Sequence, residues 1–114
     1  MQLLVIFLAD YVHLQKILEK FKELKISGAT VLDSSGVGRT NLHHQYVPMI
    51  ASLHKLWEKE TEPSKTIFAI VENEDIAKKA IKGIEDIVGN LNEPETALAF
   101  TIPISNVTGL IKIE

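Results

Sequence analysis

The segment Leu3-Leu4-Val5-Ile6-Phe7-Leu8-Ala9 is apolar at every position, and so is Ile67-Phe68-Ala69-Ile70-Val71. Successive side chains of a strand point to opposite faces. Leu4, Ile6 and Leu8 therefore share one face, while Leu3, Val5, Phe7 and Ala9 share the other. A sheet with helices on one side and water on the other should alternate apolar and polar residues. Strands of this kind ask for burial on both sides. The chain has 114 residues, 46% hydrophobic and 24% charged, enough for the core of one domain spanning residues 1–114. It is short for a catalytic domain that must fold around its own deep pocket.

The opening run is too short to span a bilayer and has neither a basic flank nor a small-residue cleavage site. It reads as a first strand, and the protein is expected to be cytoplasmic and not membrane-embedded. Asp10 then offers a helix cap, and Leu14, Ile17, Leu18, Phe21 and Leu24 recur at helical spacing. Gly28 reads as the terminator or turn residue. Residues 29–35 form a second strand, ended by Gly36-Val37-Gly38. From Arg39 to Ser64 the pattern dissolves into a long polar excursion, inside which Met49, Ile50, Leu53, Leu56 and Trp57 keep helical spacing after Pro48. Excursions of this length in compact domains tend to be functional or disordered.

Thr66–Val71 is a third strand. Asn73 caps a helix whose first turn carries Glu74 and Asp75, and Ile76, Ala77, Ala80, Ile81, Ile84, Ile87 and Val88 draw its apolar face. Gly83 interrupts that helix at a cost of about 1 kcal/mol against Ala if exposed, and Gly89 closes it. Ala97–Ile104 is a fourth strand with Pro103 at a bend or edge, and Val107–Ile113 is expected to add a short fifth. The order β-α-β, long loop, β-α-β predicts an α+β, ferredoxin-like sandwich: a four-stranded antiparallel sheet with two helices on one face. The other apolar face is then covered either by the loop or tail, or by sheets of further subunits.

Net charge −3 and a pI near 5.8 argue against a nucleic-acid binder. The absence of cysteine excludes disulfides, thiolate metal sites and cysteine nucleophiles. Gly36-Val37-Gly38-Arg39 joins two glycines, which let backbone N–H groups approach an anion, to the only arginine of the chain. It lacks the lysine of a phosphate-binding P-loop and the third glycine of a dinucleotide fingerprint, and on spacing alone a tight turn with a solvated arginine is the simpler reading. His43, His44 and His54 are the metal-ligand candidates, although adjacent side chains diverge on most backbones. His13 reads as a surface residue of the first helix. Ser34 and Ser35 have no histidine–carboxylate partners in view. Tyr46 and Trp57 are the aromatic anchors for a partner or for the loop's own packing.

Taken in order, Gly28-Ala29-Thr30-Val31, Gly36-Val37-Gly38-Arg39, the long loop, residues 65–71 and the helix beginning near Asp75 resemble the P-II nitrogen-regulatory protein superfamily. The resemblance implies a non-enzymatic regulator and a homotrimer with sheets facing inward. It also implies an adenine-nucleotide effector (ATP, ADP or AMP) in each cleft between subunits, and a loop, here about residues 39–64, that engages a transporter or enzyme. By position it places Thr30, Gly36, Val37, Gly38, Arg39, Gly89, Asn90 and Leu91 at the effector site. The family's second nucleotide loop is glycine-rich and carries a lysine, whereas residues 89–96 here carry none. The family's C-terminal arginines are replaced by Lys112 alone. Each missing cation removes charge-assisted bonds to a triphosphate, so the identity of the effector stays open. A second reading, metal handling as in the trimeric divalent-cation-tolerance proteins that share this fold, rests on His43, His44 and His54.

Overall fold

A computed structural model describes residues 1–35, 64–91 and 97–111. Four strands, β1 (Gln2–Leu8), β2 (Thr30–Ser34), β3 (Ser64–Val71) and β4 (Ala97–Pro103), form one sheet in the order β2-β3-β1-β4. Every pairing is antiparallel. With helices α1 (Leu14–Glu23) and α2 (Glu74–Val88) on one face, this is the expected ferredoxin-like arrangement. β1 is internal, with Leu4 between Ala69 and Thr101 and Ile6 between Ile67 and Ala99. The core lies between sheet and helices: Leu4, Ile6, Leu8 and Ile67 pack with Ile17 and Phe21 of α1 and with Ala77, Ala80 and Ile84 of α2. Each of the large aliphatics among them contributes about 1.5–3 kcal/mol by leaving water.

The chain enters α1 through a 3-10 turn, Tyr11–His13, where Asp10 Oδ1 accepts the Val12 N–H at 3.0 Å. His13 therefore belongs to that turn rather than to the helix. α1 does not run to Gly28. It stops at Glu23, with Lys25 in the left-handed region at φ 59°. The Lys25 N–H reaches the Lys22 carbonyl at 3.1 Å, and the Ile26 N–H reaches the Phe21 carbonyl at 2.9 Å. Ile26 and Phe21 are both buried in the core. This is the 6→1 and 5→2 pattern with its hydrophobic contact that ends many helices, so burial of Ile26 holds a lysine where glycine is usual. α2 follows the sequence expectation: Asn73 Oδ1 accepts the Ile76 N–H at 2.9 Å, and Gly89 follows the last turn at φ 95°.

β4 ends at Pro103, although the Ile104 N–H still reaches the Met1 carbonyl at 3.1 Å. The expected fifth strand does not form over Val107–Ile111; Gly109 turns the backbone to φ 88° there, and residues 112 and 113 lie outside the described residues.

Gly83 is buried where α2 crosses α1. A Cβ at this position would lie 2.8 Å from Lys20 Cγ and 2.9 Å from Lys20 Cε. The glycine lets the lysine stem lie across α2, so it is not the exposed helix defect that the sequence suggests. We expect Gly83→Ala to bring no net stability in the native chain, because the clash offsets the gain in helix propensity. In a Lys20→Ala background the same substitution should stabilise by about 1 kcal/mol. Urea denaturation of the four variants checks this; equal effects in both backgrounds contradict it.

Candidate functional site

Cross-strand register assigns every sheet residue to a face. The face away from the helices carries Leu3, Ile70 and Ile102 in one row, Thr30, Phe68, Val5 and Phe100 in the next, and Leu32, Thr66, Phe7 and Leu98 in the third. In the single chain Phe7 is 44% exposed, Leu98 48%, Ile102 47% and Leu32 48%. Val5, in the centre, is shielded to 3% by its neighbours. The rings of Phe7 and Phe100 meet at 5.8 Å in a tilted pair, a geometry aromatic pairs favour. A continuous apolar surface of this kind marks an interaction site on a soluble domain.

Thr30 opens β2 in the middle row of this face, exposed and opposite Phe68. Gly89, Asn90 and Leu91 follow the end of α2 on the other side of the sheet, and Leu91 packs against the core there. Gly89 has φ 95°, a backbone state that glycine adopts without strain. One chain thus holds Thr30 and Gly89–Leu91 on opposite faces of its sheet. Gly36, Val37, Gly38 and Arg39 lie outside the described residues, as do His43, His44, Tyr46, His54 and Trp57. Among the described residues no cluster of three or more His, Asp or Glu can hold a metal ion. No helix there is long and apolar enough to cross a membrane.

Two concavities lie away from these positions. A cavity of about 20 Å³ near Ile26, Ser27, Ile70, Val71 and Ile76 has room for a single water. An open groove runs between the helices over Gly83, lined by Lys20, Lys78, Lys79 and Lys82. Its ammonium groups stand 3.3–4.0 Å from Glu23, Glu74, Asp75 and Asp86. These exposed helix pairs leave the groove with balanced charge, and each contributes only tenths of a kcal/mol.

The site has a further group that sequence reading missed. The last row on the helix side of the sheet is Asp33, Lys65, Leu8 and Ala97, with Asp33 and Lys65 directly opposite and ion-paired. One position further, on the open side, the Ser64 hydroxyl donates to the Ser34 carbonyl at 2.6 Å, and the two hydroxyls lie 3.1 Å apart. These residues join the strand ends from which the long excursion departs. Some 30 positions of sequence separate them, so only strand register brings them together.

No curated protein shows a match to the sequence. The profile of the nitrogen regulatory protein P-II family matches residues 1–112. The match takes in both β-α-β halves and the excursion between them, and the four-stranded antiparallel sheet with its two helices is the fold that such a match requires. The chain belongs to the nitrogen regulatory protein P-II family.

Proposed function

We propose that the protein is a homotrimeric, non-enzymatic sensor of the cytoplasm. In this reading the apolar faces of three sheets meet, a small effector occupies the clefts between chains, and residues 39–64 engage a regulated transporter or enzyme. Family membership gives the coarser part of this, a regulatory signalling protein. The observation that carries the finer part is the open sheet face, which exposes Phe7, Leu98, Phe100 and Ile102 in the single chain. The placement of the candidate residues supports clefts between chains. Thr30 and Gly89–Leu91 stand on opposite faces of one sheet, so a ligand touching both sets draws them from neighbouring chains. The effector acts only by binding one state of residues 40–65 more tightly than another. An adenine nucleotide with few phosphates fits a chain whose residues 89–96 carry no cation and whose only arginine is Arg39.

Sedimentation equilibrium at micromolar concentration is expected to give three times the 12.7 kDa chain mass. Phe100→Asp is expected to shift the particle to monomer, because assembly would bury an unpaired carboxylate at a cost of several kcal/mol. A wild-type monomer contradicts the trimer.

Titration calorimetry with ATP, ADP, AMP and cyclic nucleotides is expected to give heat with at least one, and Arg39→Ala is expected to weaken it at least about tenfold, as loss of a charge-assisted contact does. No heat with any of them removes the nucleotide from the reading, and affinity unchanged in the variant removes Arg39 from its site; either leaves the trimer to stand on its own measurement.

A further inference from the structure

Antiparallel strands joined by a short turn take their register from the turn. β2 and β3 have no such help, because residues 35–63 separate their paired ends. Among the described residues β2 is also a five-residue edge strand held by β3 alone. Its pattern rejects a slip of one residue, which would carry Asp33 onto the apolar open face and Thr30 and Ser34 to the helix side. A slip of two residues keeps every side chain on its own face. In one direction Asp33 would take the place of Val31 opposite the buried Ile67. In the other Ala29 takes it, and there the hydrophobic pattern does not oppose the slide. What opposes it is the polar end of the strand pair. Sliding by two puts Asp33 opposite Ile67 or Pro63, and Lys65 opposite Val31 or Ser35. The ion pair is then lost, and so is the Ser34–Ser64 contact. Lys65 is the more sheltered partner, with its side chain 21% exposed beside the fully buried Leu8. An even slip therefore leaves its ammonium without Asp33 at the margin of the core.

We propose that Asp33 and Lys65 on the helix side, with Ser34 and Ser64 on the open side, form a clasp that selects one of the pattern-compatible registers for β2. The clasp thereby fixes the point from which the excursion leaves the sheet. A two-residue slide moves that point by about 7 Å. These are positioning residues: polar pairs at the edge of an apolar core serve register better than they serve stability. The consequence for partner engagement rests on the reading that residues 39–64 meet the partner; the clasp itself does not.

The absence of native cysteine makes engineered thiols a clean reporter of register. Thr30→Cys with Phe68→Cys marks the native pairing, while Thr30→Cys with Thr66→Cys or with Ile70→Cys marks a slide by two in either direction. Under a mild oxidant, intrachain disulfides are counted by mass on the full chain. With the clasp intact only the native pair is expected to close. In the Asp33→Asn and Lys65→Met backgrounds at least one shifted pair is expected to close about fivefold faster or more, and the charge-exchanged Asp33→Lys/Lys65→Glu background is expected to suppress it again. Shifted pairs that stay open in single variants folded by circular dichroism overturn the proposal. So do shifted pairs that close equally fast with the clasp intact. The readout needs neither effector nor partner, so it fails or succeeds independently of the proposed function.

Discussion

β1 is the strand on which the rest of the molecule depends. It lies between β3 and β4, so its backbone is paired on both edges. Leu4, Ile6 and Leu8 are wholly buried against the helices, while Leu3, Val5 and Phe7 lie on the other side. A strand apolar on both faces can be satisfied only by two layers, and the chain folds one of them from its own helices. Val5 is buried between its strand neighbours Phe68 and Phe100. Phe7 and the side chains of β4 have no such cover. The centre of the open face at Val5 is thus buried in the single chain, and the unmet demand falls on Phe7, Leu98, Phe100 and Ile102.

The fold was legible because the strands and helices carry strong, local patterns. β1 and β3 announce themselves by unbroken apolar runs, and α2 by a capping asparagine, an acidic first turn and a closing glycine. The misreadings occurred where a tertiary contact overrode a local rule. Gly28 looked like the helix stop, yet Ile26 is drawn into the core against Phe21 and forces the stop back to Lys25. Gly83 looked like a defect until the stem of Lys20 was found lying across it. A fifth strand was expected over Val107–Ile113, but Gly109 turns the backbone aside. Asp33 and Lys65 escaped notice for a different reason. Each is an ordinary charged residue, and only the register of two strands far apart in sequence makes them a pair.

The candidate site was legible only in outline. The glycine–arginine turn, the helix end at Gly89 and the threonine of β2 were recognisable as a set through their family resemblance, and no spacing rule in one chain could have joined them. Thr30 lies on the open face and Leu91 packs against the core on the helix side of the same sheet. Sequence spacing describes neighbours along a chain or across a turn; it says little of residues that stand on opposite faces of one sheet.

That division has a physical consequence for how such a protein can respond. Thr30 stands in the same row as Val5, Phe68 and Phe100, so a ligand that touches it approaches the edge of the surface on which chains are proposed to associate. Four residues further along, β2 ends at the polar clasp from which the excursion departs. In the proposed reading, ligand contact, chain association and the root of the excursion fall on one five-residue edge strand. Such a strand is held on one side only, and it can be biased by a small free energy where a central strand such as β1 cannot. Sensing in this fold then needs no long relay through the core. In the proposed reading, the strand that meets the ligand is continuous with the segment that positions the response.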